Sequence, residues 1–117
     1  MIRTRFALVA AVAAAALGLT AVAQAAATLT GTVGPGFTIT LTQGGKKVSK
    51  LKAGTYTIKI ADKSNIHDFH LTGPGVNKKT SVGGTGSTTW TVKLKAGTYK
   101  FACDPHASIM KGVLRVT

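Results

Sequence analysis

The segment Cys103-Asp104-Pro105-His106-Ala107-Ser108-Ile109-Met110 places a thiol, an imidazole and a thioether within eight residues. A soft thiolate with two imidazoles and a weak axial thioether is the donor set that selects copper for single-electron transfer. One further imidazole is needed, and the remaining histidines of the chain, His67 and His70, sit together in Ile66-His67-Asp68-Phe69-His70-Leu71. Each donor also has a purely structural reading. A lone cysteine behaves as a small buried hydrophobe, a methionine fills gaps in a core, and a lone histidine is an ordinary surface or core residue. The joint spacing favours the metal, because Cys-x2-His-x3-Met falls between one strand-like run and a final one, Gly112-Val113-Leu114-Arg115-Val116.

The elements that must position these donors are strands. Phe37, Ile39 and Leu41 alternate with threonines; Tyr56, Ile58 and Ile60 alternate with Thr55, Thr57 and Lys59; Trp90, Val92 and Leu94 alternate with Thr89, Thr91 and Lys93. Period-two alternation without helical periodicity, broken at Gly34-Pro35-Gly36, Gln43-Gly44-Gly45, Gly73-Pro74-Gly75 and Gly83-Gly84, predicts an all-β fold. Seven or eight strands at this spacing suggest a Greek-key β-sandwich or flattened barrel. Leu51-Lys52-Ala53-Gly54-Thr55-Tyr56 recurs as Leu94-Lys95-Ala96-Gly97-Thr98-Tyr99, two turns that each open a strand with a tyrosine. Strand parity selects the second histidine. Successive side chains alternate faces, so Cys103 points inward with Tyr99 and Phe101, and His67 points inward with Phe69 and Leu71. His70 is expected on the outer face with Asp68 and Thr72.

On these residues the chain resembles the small blue-copper cupredoxins of the plastocyanin, amicyanin and pseudoazurin type, from about Thr28 to Thr117. The resemblance rests on a strand histidine, then Cys-x2-His with Pro105 before the second histidine, then a methionine. The three-residue gap from His106 to Met110 lies between the shorter and longer loops of that group. The resemblance implies one type 1 copper, with His67, Cys103 and His106 in the trigonal plane and Met110 as axial contact. It also implies that the electron leaves by a histidine edge at an apolar tip, with Gly34-Pro35-Gly36 and Pro74 as neighbours. Related proteins carry Asn after the first histidine and Ser or Thr after the cysteine, tying the two ligand segments together. Here both positions are aspartates, Asp68 and Asp104, which either share a proton, splay toward lysines or point into solvent.

The N-terminus reads as a secretory signal peptide over residues 1–25. Arg3 and Arg5 precede an apolar run from Phe6 to about Val22, and Ala23-Gln24-Ala25 supplies small residues for cleavage, although Ala25-Ala26-Ala27 fits the same rule. The alternative is an uncleaved membrane anchor, for which the run is marginally long enough, but half of it is alanine, which is weakly driven into lipid; no membrane span is expected after cleavage. The mature chain, 26–117, is then one copper-binding domain, exported to the periplasm or cell exterior and monomeric. A single cysteine in an oxidising compartment has no internal disulfide partner, which suits a metal ligand.

Fifteen Lys and Arg against three Asp and no Glu give a net charge of +12, or +10 once Arg3 and Arg5 are removed. Such a surface attracts acidic partners, here redox proteins. Nucleic acid is not expected, because the lysines are scattered without interleaved aromatics and the protein leaves the cytoplasm. An enzyme is not expected either, since no nucleophile–base set exists apart from the metal donors. An exported one-electron carrier is thus the first reading. The others are a copper-handling protein using the same donors, and a metal-free structural sandwich.

Overall fold

Alternation of apolar side chains with threonine and lysine produces ten strands in two five-stranded sheets. The computed structural model describes residues 26–117, so the signal segment and its cleavage site lie outside the described residues. The first sheet runs in the order β3 (Lys46–Lys47), β2 (Ile39–Gln43), β1 (Ala27–Val33), β5 (Gly54–Asp62), β8 (Gly86–Leu94). The second runs β4 (Lys50–Leu51), β10 (Lys111–Val116), β9 (Gly97–Ala102), β6 (His70–Gly73), β7 (Val76–Lys79). Apart from the two-residue strands β3 and β4, the sheets contain the expected number. Strands distant in sequence become neighbours, β1 beside β5 and β10 beside β4, both in parallel. This is the sandwich that the alternation called for. No helix of the described residues is long and apolar enough to cross a membrane.

The inward side chains meet between the sheets. Tyr56, Ile58 and Ile60 of β5, Trp90, Val92 and Leu94 of β8, and Tyr99 and Phe101 of β9 are all buried, as the alternation predicted. Phe69 stacks on Phe101 at 5.7 Å with the rings 2° from parallel, and meets Trp90 edge-on at 6.2 Å. The Phe101 ring lies flat against Gly112 of β10, where any Cβ would collide with it. Glycine at 112 therefore lets this aromatic layer reach the end of the sandwich next to Cys103.

Phe37 departs from expectation. Its alternation with Ile39 and Leu41 placed it in the core, yet β2 begins only at Ile39 and Phe37 is 57% exposed. The backbone from Gly34 to Thr38 folds back on itself through a Gly34 N–H to Thr38 carbonyl bond of 2.9 Å, which turns Phe37 out of the strand.

The repeated turn proves to be two tyrosine corners of unequal reach. Tyr56 donates its hydroxyl to the Lys52 carbonyl at 2.6 Å. Tyr99 accepts from the Lys95 N–H at 2.9 Å and donates to the Pro74 carbonyl at 2.9 Å, joining the β8–β9 turn to the β6–β7 hairpin. Removing a hydroxyl leaves its former partners unsatisfied. Tyr99→Phe orphans groups on two segments and should cost about 2–3 kcal/mol, whereas Tyr56→Phe orphans one carbonyl and should cost roughly 1 kcal/mol. Urea unfolding of the two variants checks this, and equal losses would show that the second corner carries no extra tie.

Candidate metal centre

Cys103 follows the last residue of β9, and Met110 precedes the first residue of β10. The loop between them is closed by its own backbone. The Cys103 N–H donates to the Met110 carbonyl (3.0 Å), the His106 N–H to the Cys103 carbonyl (3.0 Å), and the Met110 N–H to the His106 carbonyl (2.8 Å). A single 3-10 turn spans Asp104–His106, with Pro105 as its second residue, where proline's fixed φ is suited and its missing N–H costs no bond. Cysteine, second histidine and methionine thus share one tight circuit.

His67 arrives from the opposite sheet's end, on the segment between β5 and β6. This segment is held by the Lys63 N–H on the Val33 carbonyl (2.9 Å), the Phe69 N–H on Thr80 Oγ1 (2.9 Å) and the Thr80 N–H on the Phe69 carbonyl (3.1 Å). Gly34, at φ +75°, passes close beneath it; a Cβ there would lie 3.2 Å from the imidazole Cδ2. A larger residue would be strained and would press on the ring.

The structure brings three donor atoms face to face. His67 Nδ1 and His106 Nδ1 are 3.1 Å apart, and Cys103 Sγ lies 3.6 Å from the first and 3.5 Å from the second. A circle through the three atoms has a radius of about 2.0 Å, close to the bond lengths that a d-block ion makes to imidazole nitrogen and thiolate sulfur. His67 and Cys103 are fully buried and His106 partly so. Met110 is buried as well, with 1% exposure. Burial pushes the Cys103 thiol pKa up, while the backbone N–H groups of Asp68 and His106 pull it down. A thiol held protonated among inward nitrogens suits a cation that displaces its proton. The donor set and its spacing fit a metal.

His70 stands apart from this triangle, as parity required. Its Nδ1 contacts Asp104 Oδ1 at 2.8 Å and its Nε2 contacts Asn77 Oδ1 at 2.6 Å. The parity argument nevertheless fails at Asp68. His67, Asp68 and Phe69 are three consecutive fully buried residues, because regular strand begins only at His70. Asp68 turns inward to accept the Asp104 N–H on Oδ1 at 2.6 Å. A side-chain acceptor and a main-chain donor thus tie the ligand segments together, and the Asp104 carboxylate is free to pair with His70 instead of a lysine.

The exit region also differs in part. Gly34 and Phe37 do border the donors; the Phe37 ring stands edge-on to His67 at 5.3 Å and to His106 at 4.9 Å. Pro74 does not. Its ring packs over Gly97 at the start of β9, the end of the strand away from Cys103, because β6 runs outward from His70 to the hairpin. Sequence reasoning missed Phe37 as a neighbour of the donors, and Thr80 as the residue that anchors Phe69. The only signal for the former was an aromatic directly after a Gly-Pro-Gly turn.

A family model described as the cupredoxin-like domain matches residues 8–116. No curated protein sequence matches the chain. Among solved structures the fold is similar to reduced rusticyanin, with TM-score 0.59 and 21% identity over 80% of this chain and 82% of that one. It is also similar to a structure described as the copper protein rusticyanin, with TM-score 0.61 and 20% identity over 81% and 80%. Rusticyanin from Thiobacillus ferrooxidans gives TM-score 0.56 and 23% identity over 81% and 79%. At these identities the likeness is one of fold.

The His70–Asp104 pair sets a pH dependence. Burial alone would lower the His70 pKa, but its bonds to Asn77 and Asp104 and the charge of Asp104 outweigh it and hold the pKa above 6.5. Burial likewise pushes Asp104 up, and its bonds to His70 and Asp68 with the His70 charge reverse this, holding it below 3.8. A raised histidine pKa stabilises the fold fully below the unfolded value and loses that contribution as pH rises through the folded one. The metal-free protein should therefore lose stability to urea between pH 6 and pH 8, and His70→Asn should flatten that slope. An unchanged slope in the variant would assign the dependence to other groups.

Proposed function

Since the chain belongs to the cupredoxin-like domain family, we propose that it is an exported type 1 copper protein that carries one electron at a time. The observation that carries this reading is the inward triangle of His67 Nδ1, Cys103 Sγ and His106 Nδ1, with edges of 3.1–3.6 Å. These three residues would hold the metal, and Met110, buried on the same loop as Cys103 and His106, would supply a thioether. Copper bound there would shuttle between its cuprous and cupric states, giving or taking one electron. A thiolate, two imidazoles and a thioether are the softer donors that copper prefers over the hard divalent ions.

The chain's part is to keep the donors still. Cys103, His106 and Met110 are cross-linked by main-chain bonds, and His67 is wedged between Gly34 and the Cys103 loop. Donors that need not move lower the reorganisation that an electron transfer requires. Full burial of His67 and Cys103 keeps water from competing for the metal. His106 is the donor that reaches the surface, beside exposed Phe37 and on the same loop as exposed Ile109, and its edge is the route for the electron. The signal segment at residues 1–25 supports export. The mature charge of +10 supports docking to acidic redox partners.

Titration of the metal-free protein with Cu(II) tests this reading. One equivalent should produce an intense visible thiolate-to-copper band. Cys103→Ser should abolish it, His67→Ala should abolish or strongly shift it, and His70→Ala should leave it nearly intact. A band that survives Cys103→Ser, or that depends on His70 instead of His67, would refute the ligand assignment.

A further inference from the structure

The sequence contains three carboxylate side chains, Asp62, Asp68 and Asp104, against a large excess of lysine and arginine. All three line two adjoining cavities. The first, of 460 Å³, is bordered by Asp68 and Asp104 and lies directly beside the ligand segments. The second, of 290 Å³, is bordered by Asp62, and the two share Lys79, Thr80 and Ser81.

Two of these carboxylates are unsatisfied. Asp62 is 6% exposed; its Oδ1 accepts the Ser64 N–H at 3.1 Å, but its Oδ2 is buried without a hydrogen-bond partner. Asp68 is fully buried, and its Oδ2 is likewise without a partner. A buried carboxylate oxygen left unpaired is costly. Lys79 lines both cavities but forms no ion pair with any of the three among the described residues. Two of the carboxylates that border the first cavity, Asp68 and Asp104, also form a cluster with His70 in which one donor atom from each lies within 4.8 Å of the others. Carboxylate oxygens with one imidazole nitrogen are a set that cupric ion binds more strongly than the divalent ions preceding it in the first transition row.

The position of the groove says what it could serve. Asp68 directly follows His67 and Asp104 directly follows Cys103. Elsewhere the mature surface, at +10, repels cations, and at the tip the Phe37 ring stands edge-on to both imidazoles. We propose that the acidic groove captures hydrated Cu(II) and delivers it to His67, Cys103 and His106. This rests on the copper reading above and adds a route to that site. The transfer is a ligand exchange without change of oxidation state. Cu(II) sheds waters for carboxylate oxygens and the His70 nitrogen, then exchanges these for imidazole nitrogens and the Cys103 sulfur, whose proton passes to water.

Stopped-flow mixing of metal-free protein with Cu(II), followed at the thiolate band, tests the route. Asp62→Asn and Asp104→Asn should each slow the band's appearance about threefold, and the double variant roughly tenfold, as local attraction is removed. Asp62→Asn preserves the acceptor for the Ser64 N–H and should reach the wild-type final spectrum. Millimolar Mn(II), which favours carboxylates over thiolate, should slow loading of the wild type at matched ionic strength and leave the double variant unaffected. Wild-type rates in the double variant would overturn the proposal, as would acceleration by Phe37→Ala with no effect of the aspartates, which would place capture at the tip. If the wild type forms no thiolate band, the copper reading itself fails. Equilibrium dialysis of Cu(II) against wild type and double variant then decides the groove separately, equal retention ruling it out.

Discussion

The site depends on one hydrogen bond, from the Asp104 N–H to Asp68 Oδ1 at 2.6 Å. Two segments far apart in sequence carry the donors, and between their main chains and side chains this is the contact that binds residue 68 to residue 104. It places His67 opposite Cys103 before any ion arrives. A charged acceptor makes such a bond shorter and stronger than a neutral amide would. It also commits the chain to burying a carboxylate. Burial raises the Asp68 pKa, the Asp104 N–H opposes that rise, and the nearby Asp104 carboxylate adds to it. Like charges at close range push two titrations apart, and here Asp68 moves up while Asp104, relieved by His70, moves down. The pairing of His70 with Asp104 is thus part of the same arrangement.

Around that bond the fold supplies rigidity from two directions. The Cys103–Met110 circuit is closed by local main-chain bonds, whereas the His67 segment is held by contacts at long range, to Val33, Thr80 and Gly34. The aromatic layer of Phe69, Phe101 and Trp90 underlies both. A disturbance of this layer would reach the donors through Phe69 and Phe101, which lie two residues from His67 and Cys103 respectively. Stability of the sandwich and geometry of the donors are consequently hard to alter independently.

Much of this was legible in the sequence. The two-sheet architecture, the inward faces of β5, β8 and β9, and the tyrosine after each repeated turn all follow from period-two alternation and glycine placement. The grouping of Cys103, His106 and Met110 follows from their spacing, because a short loop cannot separate them. The choice of His67 over His70 came from parity, which is valid only where strand is regular. It therefore placed His67 inward beside Cys103, as the structure has it, while misplacing Asp68, in a segment that is not strand at all. Phe37 was misplaced for the same reason, the alternation being carried past the point where β2 begins. Thr80 and Asp62 left no local signal, since their roles are created by chain segments that meet only in three dimensions.

The charge distribution then divides the donor end into two surfaces with different chemistry. Lysines spread over the outer faces of both sheets favour an acidic protein and disfavour a free cation. On the proposed function the protein meets both, which one uniform field cannot satisfy. Confining all three carboxylates to the groove along Lys79–Ser81, while His106 emerges beside apolar Phe37, separates the two demands. In the proposed carrier, the apolar tip would allow close approach of a partner without a desolvated charge between the two redox centres. The groove presents its negative field on the side where the segments bearing His67 and Cys103 are joined. Because Asp68 belongs to both the groove and the bond that aligns the donors, any change there acts on ion capture and on site geometry together. Asp62 also accepts the Ser64 N–H, a bond that asparagine keeps, so Asp62→Asn is the change through which the two roles can be separated.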